Sequence, residues 1–293
     1  MYPAAFEYLA PKGISEAIAL LKQHGDDAKL LAGGQSLVPM MKLRVARPKY
    51  LIDIHRIADL NYIREDGGDI RCGAMTRHVE IEESTLLREK IVMLCEAASK
   101  IGDTQVRNRG TIGGGLVEAD PAGDYGPIAL ALNAKLKCVG PKGGRIIAAK
   151  DFFTFAYTTA LESDEILTEV IFPLPDKSSA GVYLKLERVA GDFAITSAAV
   201  QLGLDKEGAC NNIGIGVTGA GAVPQKAETV ETLLRGKVIT SALIDQAGAL
   251  IKEGAEPIED LRGSAPYKKK ALSAILRRAI AESVRRVEAK RSS

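Results

Sequence analysis

Two glycine-rich clusters constrain this chain more than any other feature of its sequence. They are Ala-Gly-Gly-Gln-Ser at 32–36 and Gly-Thr-Ile-Gly-Gly-Gly at 110–115. Glycine lets the backbone approach a ligand closely and adopt positive φ, so that successive N–H groups can point at one anion. Each cluster follows a predicted strand or helix. The clusters therefore indicate a phosphate or pyrophosphate cradle, with ordinary tight turns as the alternative.

The glycine patterns of this chain do not match the common nucleotide-binding loops. Neither cluster ends in Gly-Lys-Ser/Thr, as a nucleoside-triphosphate loop does. A formal G-x-G-x-x-G pattern occurs at Gly214, Gly216 and Gly219, but apolar residues alternate through it and Pro224 follows. A dinucleotide fingerprint should end a strand and open a helix. We interpret this pattern as the interior of a strand.

Metal-binding and catalytic side chains are sparse. Three histidines, at positions 24, 55 and 78, and four cysteines, none closer than 23 residues to the next, are spread along the chain. A zinc or iron–sulfur site needs three or four converging ligands. We predict no metal site and no catalytic residue, with each histidine at the surface or at a helix end. Asp120 and Asp124 fit a carboxylate pair of a hydrolase, a polar turn or a contact to a ligand hydroxyl.

The charge is distributed unevenly. Residues 262–291 hold ten basic and two acidic residues, a charge of +8, which leaves −6 elsewhere in a chain of net charge +2. The lysine run at 268–270 and the arginine pairs at 277/278 and 285/286 have no interleaved aromatic residues, so nucleic acid is not expected. We predict a solvated helix face, with an acidic partner as the alternative. No signal peptide and no membrane-spanning stretch of about 20 apolar residues is found, so we expect a cytoplasmic chain.

Hydrophobic periodicity predicts the order of the elements. Ile14, Ile18 and Leu21 mark a helix that ends at Gly25, and a strand at 29–31 leads into the first glycine cluster. With a strand at 50–54, this predicts a small β-α-β unit whose glycine turn ends the inner strand.

Further along, we predict a helix stripe from Ile91 to Ile101 and a long C-terminal helix beginning near Ser264. The remaining segments read as strands: 135–138, 165–172, 183–187, 194–204 and 213–217. The polar, proline-containing run at 173–179 suggests a boundary. We therefore place one domain at 1–175, with lobes at about 1–56 and 57–175, and a second at 176–293.

Two long motifs carry a family resemblance. Residues 31–44 read LAGGQSLVPMMKLR and are followed by YLIDI at 50–54; residues 105–114 read QVRNRGTIGG and are followed by ADPAGD at 119–124. Both resemble the FAD-binding medium subunit of the molybdenum hydroxylases, which include carbon monoxide dehydrogenase, xanthine dehydrogenase and aldehyde oxidoreductases. Similarity at 163–167, 185–188 and 259–263 extends the resemblance over nearly the whole chain.

The resemblance implies an α+β fold and a division of labour. A two-lobed FAD-binding domain of the PCMH (vanillyl-alcohol-oxidase-like) type would precede a C-terminal α+β domain with a three-stranded antiparallel sheet and helices. The chain would bind FAD non-covalently. A large molybdenum subunit and a small subunit with two-iron, two-sulfur clusters would complete a dimer of heterotrimers, and electrons from those clusters would pass through FAD to an external acceptor.

The resemblance also assigns cofactor-binding residues. Residues of the two loops would surround the pyrophosphate: Lys29, Leu30, Leu31, Ala32, Gly33, Gly34, Gln35, Ser36 and Leu37 in the first, and Thr111, Ile112, Gly113, Gly114 and Gly115 in the second. Ile101 and Leu167 would pack near the flavin and adenine ends. Asp124 would accept a hydrogen bond from the cofactor, Lys185 would lie near the polar end of the isoalloxazine, and Phe193 would cover the ring.

One position departs from the family pattern, and two other functions stay open. Gly115 stands where many relatives carry Asn or Asp, so any side-chain contact made there is absent. A free-standing FAD oxidoreductase would need its own acid or base beside the flavin. A cofactor-free scaffold would bind no flavin at all.

Overall fold

The computed structural model describes residues 2–292, so the first and last residues of the expected domain ranges lie outside it. It contains four sheets and is mixed α+β, which confirms the expected fold class. The strands are β1 Glu7–Leu9, β2 Ala28–Leu31, β3 Tyr50–Asp53, β4 Ile63–Asp66, β5 Asp69–Gly73, β6 Lys135–Gly140, β7 Gly143–Ala148, β8 Phe153–Phe155, β9 Thr158–Thr159, β10 Ile166–Pro173, β11 Ser179–Leu186, β12 Thr196–Leu204, β13 Cys210–Thr218 and β14 Gln225–Lys226.

Helices connect and cover these strands. They are α1 Ile14–His24, α2 Leu37–Lys42, α3 His78–Glu83, α4 Thr85–Lys90, α5 Val92–Ala98, α6 Thr104–Arg107, α7 Ile112–Glu118, α8 Tyr125–Ala131, α9 Ala149–Phe152, α10 Glu228–Leu234, α11 Ser241–Gly254 and α12 Ala265–Ser292. The predicted stripe from Ile91 to Ile101 is shorter than expected. Ile91 has φ −142° and separates α4 from α5, and Ile101 lies beyond the end of α5.

The N-terminal sheet is parallel, with the order β1-β3-β2. Helix α1 ends at Gly25, whose φ of 52° suits glycine, as the sequence predicts. The expectation of a glycine turn after the inner strand is wrong. Because β1 pairs with the other side of β3, β3 is the inner strand and the first glycine cluster follows the edge strand β2.

The central sheet is antiparallel, with the order β4-β5-β10-β6-β7. Strand β10 lies in its middle and is buried along almost its whole length, including the polar residues Thr168 and Glu169. Helices α5, α7 and α8 contribute to the same hydrophobic core. Tyr183 and Ala199 of the following sheet also belong to this core, so the parts on either side of 173–179 share hydrophobic contacts.

The C-terminal sheet is antiparallel, with the order β11-β12-β13-β14. Three long strands match the expected sheet, and the two-residue β14 is an addition that the sequence did not predict. Gly214 and Gly216 lie inside β13, which confirms that the G-x-G-x-x-G pattern is not a nucleotide fingerprint. A Cβ at either glycine would lie 1.9 Å from a carbonyl oxygen of α8, so these glycines allow α8 to pack directly on the strand.

The basic C-terminal segment forms α12, which packs on the C-terminal sheet through Leu272, Leu276 and Ile280. Several of its cations are committed to the protein itself. Arg286 donates to Gly181 O at 2.8 Å and Lys290 donates to Ser179 O at 2.8 Å. These bonds satisfy carbonyl groups of the edge strand β11, so part of the positive charge serves to protect a sheet edge.

We expect Gly216→Ala to lower the free energy of unfolding by about 2–4 kcal/mol, because the new methyl group would meet Pro127 O at 1.9 Å. Gly254→Ala is the matched control, since a Cβ there meets nothing within 4 Å. Urea unfolding of both variants provides the measurement. Equal stability of the two variants would contradict the packing described for α8.

Candidate functional site

The first glycine cluster connects β2 to α2 and leaves backbone donors free. Gly34 has a φ of 74°, which favours glycine. The N–H groups of Gly33, Gly34, Gln35 and Ser36 donate no hydrogen bond to any residue from 2 to 292. Four consecutive amides without internal partners form an arrangement that can bind an anionic group.

The two glycine clusters touch through their backbones. A Cβ at Gly33 would lie 2.2 Å from Arg109 O and 2.6 Å from the Cα atom of Gly110. No side chain can be placed in that gap without moving one loop. The close approach therefore requires glycine at position 33 and brings the free amides of the first loop beside the second loop.

The second cluster is held mainly by internal hydrogen bonds. The amides of Ile112 and Gly113 donate to Thr76 O and Ala74 O at 3.0 and 2.9 Å, and that of Gly114 donates to Thr111 Oγ1 at 3.1 Å. The Thr111 oxygen is thus an acceptor for its own helix. In this loop, the Thr111 backbone N–H and hydroxyl hydrogen remain available to donate hydrogen bonds to a ligand. Gly110 and Gly113 chiefly permit tight packing, since a Cβ there would lie 2.5 Å from His78 Nε2 and 2.6 Å from Ala74, respectively.

Gly115 differs from the other glycines of the cluster. It is exposed, and a Cβ there would lie 3.4 Å from the ring of Tyr125, an ordinary contact distance. The packing thus has room for the Asn or Asp expected in relatives.

Lys185 and Asp124 form a buried charge cluster with Glu187. Lys185 Nζ lies 3.2 Å from Asp124 Oδ1, 3.2 Å from Glu187 Oε2 and 3.0 Å from Lys100 O, and its side chain is 1% exposed. Tyr183 donates to Asp124 Oδ1 at 2.5 Å. Burial raises the pKa of Asp124, while the Lys185 ammonium and the Tyr183 hydroxyl oppose that rise. One ammonium therefore faces two carboxylates.

Ile101 and Phe193 lie at the same junction. The β11–β12 connection meets the segment after α5 through Gly102 N and Gly191 O at 3.1 Å, and it meets the 119–124 turn through Ala194 N and Ala122 O at 3.4 Å. The ring of Phe193 is 41% exposed and lies beneath the Arg262 guanidinium at 5.3 Å. The structure thus brings four predicted residues, Ile101, Asp124, Lys185 and Phe193, to one junction.

The remaining predicted residues occupy different surroundings. Lys29 is exposed on β2, while Leu30 is half-buried against the N-terminal core. Leu167 is 4% exposed and belongs to the central core. Asp120 forms a polar turn, because its Oδ1 accepts from Ala122 N at 2.8 Å.

A cavity that the sequence did not indicate opens beside the two clusters. Its volume is about 190 Å³. The lining residues come from loops that follow strands or precede helices: Ala32, His55, Asn61, Met75, Arg77, Asn108, Arg109 and Thr111. Polar residues just after β3 could have signalled it, since ligands often bind at the carboxyl ends of parallel strands.

Among residues 2–292, no group of three or more His, Cys, Asp or Glu side chains is placed to hold a metal ion, and the four cysteines are buried and unpaired. No helix of the described chain is long and apolar enough to cross a bilayer. Consecutive backbone amides without internal partners can bind the phosphates of a diphosphate-containing cofactor.

Comparison with known proteins identifies the family. Residues 4–175 match the FAD binding domain in molybdopterin dehydrogenase, and residues 181–283 match the CO dehydrogenase flavoprotein C-terminal domain. The carbon monoxide dehydrogenase medium chain of Afipia carboxidovorans is 40% identical, with 96% of this chain and 97% of the relative covered. That of Hydrogenophaga pseudoflava is 41% identical, with the same coverage.

A solved structure agrees. Carbon monoxide dehydrogenase from Hydrogenophaga pseudoflava lacking the Mo-pyranopterin moiety superposes with a TM-score of 0.94 at 41% identity, covering 97% of this chain and 98% of that chain. The chain therefore belongs to the FAD-binding medium subunits of the carbon monoxide dehydrogenase-like molybdenum hydroxylases. It is an oxidoreductase subunit with FAD as its cofactor, which confirms the expected family, fold type and cofactor.

His78 fixes the second loop from below. The backbone N–H of His78 donates to Gly110 O at 2.9 Å. The ring Nδ1 lies 3.0 Å from the Tyr125 hydroxyl, and the residue is 5% exposed. Burial, together with the nearby Arg107 charge, lowers the pKa of His78 to about 4. This histidine is therefore neutral at pH 7, as a helix-end residue inside the fold.

We expect His78 to make stability depend on pH. Between pH 6.5 and about 4 the unfolded chain binds a proton that the folded chain does not, so stability present above pH 6.5 falls as the pH decreases, by up to about 3 kcal/mol. Urea unfolding of the wild type and of His78→Gln across this range measures the difference. Parallel pH profiles for the two proteins would show that His78 titrates normally in the folded state.

Proposed function

We propose that this chain carries electrons through FAD, accepting them from two-iron, two-sulfur clusters in a small partner subunit and passing them to an external acceptor. Substrate oxidation would take place in a large molybdenum-containing subunit. The observation that supports this assignment most strongly is the row of four free amides at Gly33–Ser36, held against the backbone of Arg109 and Gly110.

The residues fit FAD at its diphosphate. A diphosphate needs several donors at close range, and the glycines allow the backbone to supply them without side chains in between. The free amides of the first loop would donate to one side of the diphosphate. Thr111 would donate from the other loop, through the hydroxyl hydrogen that its capping role leaves available.

The junction around Lys185 would receive the isoalloxazine end. FAD, when bound, would supply the capacity to take up electrons one at a time and to hold two of them for an external acceptor. Asp124 and Glu187 hold the Lys185 ammonium in one position and offset much of its charge. Lys185 would thus act as a fixed hydrogen-bond donor more than as a free positive charge, while Phe193 covers the ring and limits access of water.

The same proposal covers the assembly. We propose a dimer of heterotrimers in the cytoplasm, with the substrate chosen by the large subunit. The lack of a metal-ligand cluster among residues 2–292 is compatible with metal centres in partner chains. A free-standing oxidoreductase would need a general acid or base at the junction. The side chains there are an ion-paired lysine, two carboxylates bound to it and a buried tyrosine.

We expect the purified chain to take up FAD and show the visible absorbance of a bound flavin. Gly33→Val combined with Gly114→Val should raise the dissociation constant for FAD by at least roughly a hundredfold, because several charge-assisted hydrogen bonds are lost. Gly13→Val combined with Gly254→Val is the matched control, since both sites have open space around them. Full flavin content in the first double variant would contradict the assigned loops.

Electron delivery is tested separately. The FAD-loaded chain mixed with a substrate of the complex should keep its flavin absorbance, and adding the two partner subunits should bleach it. Bleaching by the isolated chain would instead support the free-standing oxidoreductase.

A further inference from the structure

The α2 turn, residues 40–47 at the end of α2, displays apolar side chains to solvent. Leu43 and Val45 are 67% and 72% exposed, and Met40 is 38% exposed. The backbone N–H of Val45 donates to Met40 O at 2.9 Å, so these residues belong to one compact turn. Single exposed apolar side chains are common on any surface, whereas neighbouring ones are typical of a contact with another protein.

Arg44 holds a backbone conformation in this turn that suits glycine. Its N–H donates to Met41 O at 3.0 Å, and together with the bond from Val45 to Met40 this makes the end of α2 a Schellman motif. The left-handed residue of such a motif is usually glycine, but here it is Arg44, with a φ of 61°. Because the fold alone favours glycine at this position, the arginine indicates a use for its side chain beyond the fold.

The positive charge of the α2 turn is not balanced by the protein. The segment 28–52 contains no Asp or Glu. Lys42, Arg44 and Arg47 are exposed, and none of them forms an ion pair with a residue between 2 and 292. The Arg47 side chain donates to Arg44 O at 2.9 Å, which is a bond within the turn itself. Three cations therefore remain available to an outside partner.

Apolar side chains between unpaired cations are complementary to a surface that presents carboxylates around an apolar depression. The apolar side chains of such a contact supply affinity when they are buried, and the charges supply specificity and fast association. A lipid surface is a poorer match, because α2 is only six residues long and the turn has no aromatic residue to insert. The occupant that fits is an acidic protein surface.

The position of the α2 turn distinguishes between the two partner subunits of the proposed complex. The small subunit has to deliver electrons to the flavin, whose ring the proposed function places near Lys185 and Phe193. The α2 turn lies elsewhere, in the N-terminal lobe between β2 and β3. The large subunit has no such requirement to approach the flavin ring, so it is the better candidate for this surface.

We propose that the α2 turn docks the large subunit, with Leu43 and Val45 as buried apolar anchors and Lys42, Arg44 and Arg47 paired with carboxylates of that subunit. The inference rests on the proposed assembly and adds the surface through which this chain joins it. Raising the salt concentration should weaken the contact, because the charges involved lie at the protein surface.

Arg44→Gly separates a role in the fold from a role in docking. Glycine relieves the left-handed conformation, so the urea midpoint of the isolated chain should stay the same or rise. The dissociation constant of the chain for the purified pair of large and small subunits should nevertheless rise roughly tenfold, because a charge-assisted contact is lost. Leu43→Ala combined with Val45→Ala should raise it at least roughly tenfold.

Ile146→Ala combined with Val238→Ala is the matched control, since these side chains are similarly exposed, at 59% and 56%, in other parts of the chain. It should change the dissociation constant less than about twofold. A photocrosslinker at position 45 should join the chain to the large subunit.

Three results would overturn the inference while the assembly stands. They are affinity losses in the α2-turn variants no greater than in the control, a crosslink to the small subunit, and loss of binding to phosphatidylserine vesicles in place of subunit binding. A wild-type chain that does not bind the pair of subunits would overturn the proposed assembly as well.

Discussion

The backbone contact of Gly33 with Arg109 and Gly110 holds the two glycine clusters against each other. The gap admits no Cβ, since one at Gly33 would lie 2.2 Å from Arg109 O. His78, Thr76 and Ala74 hold the second loop in place through Gly110 O and the amides of residues 112 and 113. The second loop is therefore fixed by hydrogen bonds within the protein, which under the proposed function would pre-organise the site for a diphosphate.

Charge is arranged differently on the two sides of this contact. At the C-terminal junction, Lys185 is buried between two carboxylates, which offset most of its positive charge. At the cavity, Arg109 has no carboxylate partner among residues 2–292, whereas His55 is paired with Asp53.

The glycine clusters, the α1 stripe and the strand interpretation of Gly214 and Gly216 were predictable, because each follows from local sequence. The edge position of β2 was not, since β1 pairs with β3 over a sequence distance that no local pattern encodes. The cavity escaped prediction for the same reason: Tyr8, Asp53 and His55 meet only when the sheet forms. The family motifs assigned Lys185 and Asp124 to the site. Their ion pairs, including that of Lys185 with Glu187, could not be predicted, because they depend on how β11 packs against the 119–124 turn.

A crystal structure of the chain with FAD tests the central claim most directly. The proposed function predicts the diphosphate within hydrogen-bonding distance of the Gly33–Ser36 amides and the isoalloxazine near Lys185 and Phe193. Electron density for FAD away from the two glycine clusters, with the amides of the first loop still lacking a partner, would contradict it.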